Sequence, residues 1–307
     1  MIVDCHTHIW SDVSQLGKGA DNYLARQLQP SASASEPPEA ALPVRIRARP
    51  GDHAQAAECV DKTLVLGFQS VCLDAKVPND FIAEYVAEHP DRMIGIAAVD
   101  PTEPVAVKLA RQLLGQDEFR GLTVSPALQD FHPADSRAMA LYELASELGA
   151  PIIFQQSTHF PATGHMEYAR CMLLDEIARE FPDLTIVVSS LGHPWVAECV
   201  ALMGKHRRVF ADISGLVRRP WQAYNALVLA HQFNVMDKVL FSSDFPFYDA
   251  SRAIQSLYRL HEVTQGTNLP IVPREALRSV IERNALEALG IALPNELMQQ
   301  VAVEDEI

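Results

Sequence analysis

"SRAMALYELASELGAPIIFQ", residues 136–155, contains in one stretch the unit from which the chain is built. Its first part is an amphipathic segment of helical length, and its end, "PIIFQ", is a short continuous apolar run. Such a run with turn residues at its edge reads as a strand buried on both faces. The unit recurs. Buried strands are expected at "IVDCH" (2–6), "SVCL" (70–73), "IGIAAV" (94–99) and "GLTVS" (121–125), then at "PIIFQ" (151–155), "LTIVVSS" (184–190), "VFADIS" (209–214) and "VLFSS" (239–243). Helical patterns lie between them, among them "NDFIAEYVAEHP", "MEYARCMLLDEIAREFP" and "WQAYNALVLAHQFN". Continuous apolar strands alternating with helices specify a parallel sheet covered by helices, and eight such units specify an α/β fold of the (β/α)8 TIM-barrel type. An open doubly wound sheet is the alternative, but the Gly-rich phosphate turn after a first strand is missing here.

Two segments fall outside the alternation. Residues 12–50 form a long insertion whose middle, "PSASASEPPEAALP", has no hydrophobic period, followed by arginines at 45, 47 and 49. A loop of that length leaving a first barrel strand is expected to be a lid over the barrel mouth. A helical pattern is expected over 52–67. "PREALRSVIERNALEALGI" (273–291) reads as a final helix with Gly290 as its cap, ahead of an acidic tail. The expected organisation is one domain over 1–307.

Composition excludes several partners. With 307 residues and a formal net charge of −14, the chain lacks the clustered basic surface that nucleic acid requires. No apolar run reaches the ~18 residues of a membrane span. "MIVDCHTH" has neither the basic start nor the apolar length of a signal peptide, so a cytoplasmic location is expected. Five scattered cysteines without C-x-x-C spacing read as reduced thiols, most of them small buried hydrophobes.

Barrel chemistry sits where the strands end. The first strand ends in His6 and His8, the fourth in Thr123 and Ser125, and the fifth in Gln155 and Gln156, with His159 just beyond. Ser189 and Ser190 end the sixth, followed by "LGHPW" with His193. Asp212 and Ser214 end the seventh, and "SSDFPF" with Asp244 the eighth. In a closed barrel the first and last strands are neighbours, so His6, His8 and Asp244 converge as candidate ligands of one divalent cation. Asp244 is also placed to take a proton from water. His193 is a second candidate for proton transfer. Arg45, Arg47, Arg49, Arg218 and Arg219 are candidates for holding a substrate carboxylate.

The motifs "VDCHTH", "FRGLTVSPALQDF", "LYELASELGAPIIF", "SSLGHPW", "LFSSDFPF" and "VIERNALEALG" together resemble the amidohydrolase superfamily. The narrower likeness is to the amidohydrolase-related group of aminocarboxymuconate-semialdehyde decarboxylase, resorcylate-type decarboxylases and pyrone-dicarboxylate lactonase. The resemblance implies a barrel acting on a small carboxylated ring compound or its ring-opened product, a zinc or manganese ion, and a homo-oligomer such as a dimer. Relatives in that group carry histidine where this chain has Gln155 and Ser190, and many carry it at Ser125, with lysine at Thr123. A neutral amide oxygen binds zinc or manganese far more weakly than imidazole. Three readings follow. In the first, the chain is a hydrolase of lactone or ester-like bonds, or a carboxy-lyase, with a weak or absent metal and Asp244 and His193 as its catalytic groups. Gln155, His159, Ser190 and the arginines then line its substrate. In the second, Gln156 or His159 replaces the missing metal ligand. In the third, the chain is a non-catalytic binding protein or an inactive partner in an oligomer.

Overall fold

Seven of the eight apolar runs become strands of an eight-stranded parallel sheet in a computed structural model that describes residues 1–18, 20, 47–156 and 163–292. The strands are β1 (Val3–Thr7), β2 (Lys62–Leu66), β3 (Met93–Ala98), β4 (Phe119–Val124), β5 (Ile152–Phe154), β6 (Ile186–Val188), β7 (Val209–Asp212) and β8 (Val239–Leu240). Each pairs with the next in sequence. The seam between first and last is joined by Cys5 N–H to Phe241 O at 3.0 Å, Asp244 N–H to His6 O at 3.1 Å and His8 N–H to Phe245 O at 2.9 Å. The fold is the expected (β/α)8 barrel.

Alternation along the strands divides the core into two layers. Val3, Cys5, Leu64, Leu66, Ile94, Ile96, Ile153, Val187 and Leu240 fill the barrel interior, joined by Ala285, Leu286 and Leu289 of the C-terminal helix. Residues of the opposite parity, such as Val65, Ala97, Phe154 and Val188, pack outward against the helices. Burying each large aliphatic side chain contributes about 1.5–3 kcal/mol, so the barrel wall is held from both faces.

Three sequence expectations change. The second barrel strand is Lys62–Leu66, inside the stretch expected to be helical. The helix there stops after Pro50–Ala56, and "TLVL", framed by Asp61 and Gly67, supplies the apolar run that the sheet needs between β1 and β3. A Cβ on Gly67 would lie 2.8 Å from the Ala98 side chain, so only glycine lets the exit of β2 pass the end of β3. "SVCL" instead begins a small antiparallel hairpin, Gln69–Ser70 with Ala75–Lys76. The segment from Met166 is two 3-10 turns before the helix Leu174–Glu180, because Arg170 is extended. The final helix is likewise two, Arg274–Glu282 and Ala285–Leu289. Arg283 is extended between them, Asn284 caps the second, and Gly290 closes it in the left-handed region as expected.

The expected lid falls mostly outside the described residues, as do Arg45 and His159. Cys5, Cys171 and Cys199 are buried, whereas Cys59 and Cys72 are exposed. Among the described residues no helix is long and apolar enough to cross a membrane.

Candidate active site

A break in strand register aims the two histidines. From Asp4 to Thr7 strand β1 advances three residues while β2, from Thr63 to Val65, advances two. Such a bulge re-aims the side chains beyond it. Val3 and Cys5 belong to the interior cluster, and within the bulge His6 reaches across to β7 while Thr7, at its end, bonds to the neighbouring strand.

His6 and His8 meet there. Their Nε2 atoms are 3.1 Å apart. His8 Nδ1 lies 3.0 Å from Leu66 O, a carbonyl that can only accept, so His8 donates from Nδ1 and keeps a lone pair on Nε2. His6 Nδ1 lies 2.9 Å from Asp212 Oδ2 and donates to that carboxylate. The two Nε2 atoms thus face one another across 3.1 Å, close enough for one proton or one cation to lie between them. Burial disfavours charge on His6, but Asp212 beside it, helped by Asp244 and Asp4, raises its pKa above the ordinary value. Burial and the neighbouring His6 charge push His8 down to about 3.

Asp212 is the anchor of this pair. Its Oδ1 accepts from Ser190 N–H at 3.0 Å, Ser214 N–H at 2.8 Å and Ser214 Oγ at 2.5 Å. Burial alone would raise its pKa; the His6 charge and these donors hold it below the usual carboxylate range. Ser190, which helps to build this cradle, stands on left-handed backbone with φ of 56° and also bonds Ser214, Oγ to Oγ at 3.1 Å. Asp212 was legible as an acid at a strand end, yet its role was not, because its partner is 206 residues away in the chain.

Asp244 holds a second strained position, with φ of 68° just past β8. A non-glycine residue in that region marks a backbone held against its preference, often at a functional site. Its side chain is 13% exposed and lies 3.9 Å from the Arg218 guanidinium, which sits over the Phe247 ring at 5.4 Å. Burial raises the Asp244 carboxyl above its ordinary value, more than the Arg218 charge lowers it. Close packing is enforced locally: a Cβ on Gly215 would lie 3.3 Å from Asp244 Oδ2.

The other candidates are placed as follows. Gln155 donates from Nε2 to Thr123 Oγ1 at 2.9 Å and to Gly67 O at 3.2 Å. Gln156 is buried, and neither polar atom of its side chain has a hydrogen-bond partner among the described residues. His193 lies in the turn after β6, with its pKa lowered by burial and by the charge of Arg219. Arg47 and Arg49 are exposed, Arg49 at the start of the helix Pro50–Ala56.

Two imidazole nitrogens 3.1 Å apart suit adjacent positions around one metal ion. A firm catalytic zinc site uses three protein ligands. Among the described residues no group of three or more His, Cys, Asp or Glu side chains is arranged to hold a metal ion. The donor set does not fit a firm metal centre.

A sequence model of the amidohydrolase family matches residues 3–291, and the chain belongs to that family. Among solved structures, an uncharacterised TIM-barrel protein from Bordetella bronchiseptica is 20% identical with a TM-score of 0.69, over 94% of this chain and 98% of that one. A probable 2-pyrone-4,6-dicarboxylic acid hydrolase from Acinetobacter baumannii, with citric acid bound, is 14% identical with a TM-score of 0.61, over 94% and 99%. The 5-carboxyvanillate decarboxylase of Sphingomonas paucimobilis is 15% identical with a TM-score of 0.63, over 95% and 99%. At these identities the likeness shows the fold. No curated protein matches the chain.

Proposed function

We propose that the chain hydrolyses a lactone or ester-like bond in a small carboxylated ring compound. The observation that carries this reading is Asp244: a largely buried carboxyl on left-handed backbone, with Arg218 3.9 Å away, at the strand end beside the His6–His8 pair. A carboxyl whose pKa is raised above its ordinary value is a better general base than an ordinary one. Asp244 takes a proton from water as the water oxygen attacks the acyl carbon. The positive His6–His8 pair stabilises the charge that develops on the carbonyl oxygen. When the ring carbon–oxygen bond breaks, Asp244 returns the proton to the leaving oxygen. Arg218 pairs with the substrate carboxylate and orients the ring. An activated ester is an easier target than an amide, and no step is assigned to a metal.

Carboxy-lyase chemistry is the second reading. It is favoured by the same pairing of His6 with His8, because a proton held between the two rings is an acid suited to replacing a departing carboxyl group on a ring carbon.

The test is incubation with 2-pyrone-4,6-dicarboxylate, related lactone carboxylates and hydroxybenzoates, followed by ultraviolet absorbance and proton NMR. Ring opening by the wild type, lost in Asp244→Asn, is the expected result. Release of carbon dioxide without ring opening selects the second reading. Binding without turnover of any compound selects a non-catalytic binding protein.

A further inference from the structure

Behind β1, on the side away from the His6–His8 pair, a third histidine is wholly buried. His53 Nε2 lies 2.9 Å from Thr7 Oγ1, and Thr7 Oγ1 in turn lies 2.7 Å from Leu64 O. The carbonyl can only accept, so Thr7 donates to it and receives the Nε2–H of His53. That leaves His53 Nδ1 as the acceptor for the Tyr85 hydroxyl, 2.8 Å away. The ring also packs edge-on against Phe245, with centroids 5.1 Å apart. Thr7 stands between His6 and His8, and Phe245 follows Asp244. One buried ring therefore touches the strand of the histidines and the turn of the carboxylate at once.

The position of this chain of bonds matters. Thr7 lies at the end of the bulge, where the β1–β2 ladder shifts register. A bulge leaves a strand free to bend there, and the Thr7 hydroxyl stitches β1 to β2 at that point. An apolar ring would fill the same space without the cost of burying two polar nitrogens. Burial, with the Arg92 and His89 charges, keeps His53 neutral down to about pH 3, so its one donor and one acceptor are fixed.

We propose that His53 is a positioning residue of the site: through Thr7 it locks the bulge that aims His6 and His8, and through Phe245 it holds the Asp244 turn against them. The proposal rests on the catalytic reading of the barrel mouth for its meaning, but its test needs no turnover. In the full chain labelled with 15N-histidine, the ring signals of His6 and His8 report how the two rings are placed against each other. His53→Phe keeps the packing against Phe245 and removes the bonds; it is expected to shift both sets of ring signals away from their wild-type positions. His53→Gln, whose amide N–H reaches Thr7, is expected to restore them. Tyr85→Phe is expected to lower Tm and leave the His6 and His8 signals in place. If His53→Phe lowers Tm while those signals stay where they are in the wild type, His53 is core packing only and the proposal is overturned. Should His53→Phe fail to fold, Thr7→Val decides in the same way: shifted signals support the lock, and unchanged signals overturn it.

Discussion

The two arcs of the barrel mouth differ in chemistry. On the seam side β1, β7 and β8 present His6, His8, Asp212 and Asp244, all with pKa values displaced by burial and by one another. On the far side β4 and β5 present Thr123, Ser125 and Gln155, neutral groups that spend their hydrogen bonds on themselves. Gln155 Nε2 bonds Thr123 Oγ1, and Ser125 Oγ donates to Gln155 O at 3.2 Å. Ser190, in the turn after β6, faces the charged arc through Asp212 and Ser214. A neutral arc that satisfies itself is a wall, whereas an arc of ionisable groups in contact is a place for proton transfer. The seam is therefore where chemistry is expected, and the far arc is where shape is set.

Asp244→Asn should break this contrast most deeply. Loss of a positioned general base costs about 100- to 10,000-fold in rate, so kcat on a hydrolysed lactone carboxylate should fall by roughly that factor. Thermal unfolding should show a Tm close to that of the wild type. A variant that keeps more than a tenth of the wild-type kcat would move the base elsewhere. In the wild type the acid limb of the kcat profile should lie above the ordinary carboxylate range, since the base must be deprotonated and burial raises its pKa.

The second experiment gives the barrel mouth the histidines of its relatives. Native protein should carry substoichiometric zinc or manganese that a mild chelator removes. Gln155→His together with Ser190→His should raise metal content toward one per chain and tighten binding about 100-fold or more. Elemental analysis after dialysis checks both statements. Retention of a full equivalent by the wild type would show that a ligand lies beyond the described donor set.

His53 offers a smaller, pH-dependent effect. Its folded pKa is lowered from 6.5 to about 3, so between these values the unfolded chain binds the extra proton. The stability its neutral form contributes is present above pH 6.5 and is lost as pH falls toward 3, by at most about 1.4 kcal/mol per pH unit. His53→Gln removes that dependence. In urea melts between pH 6.5 and 4, the gap between wild type and His53→Gln should narrow or reverse as acid is added; a constant gap would contradict a neutral buried imidazole.

Arg218→Gln carries the smallest expected effect. Losing one charge-assisted contact to a substrate carboxylate should raise KM about tenfold with little change in kcat. The opposite split, with kcat falling and KM constant, would assign Arg218 to Asp244 instead of to the substrate.

Much of the barrel was legible because its signal is local. Apolar runs of strand length between amphipathic helices read the same way wherever they occur, and seven of the eight strand positions follow from them. The missed one, Lys62–Leu66, directly follows a helical pattern, and nothing in the run itself separates a buried strand from the end of a buried helix. The site was half legible. Polar residues at strand ends named His6, His8 and Asp244, while Asp212 was seen without a role and His53 without any signal. Its histidine lies in an ordinary helical stretch, and its meaning comes only from Thr7 and Phe245.

The sequence by itself determined the class of fold, the family and the substitution of Gln155 and Ser190 for the histidines of relatives. All of these depend on residue type and order. Tertiary structure alone decided the state of the two opening histidines. Period-two alternation puts them on one face of a strand, but the bulge chooses which face. Asp212 and Leu66 O, brought in by other strands, each take the Nδ1 of one ring and so leave the two Nε2 atoms facing each other.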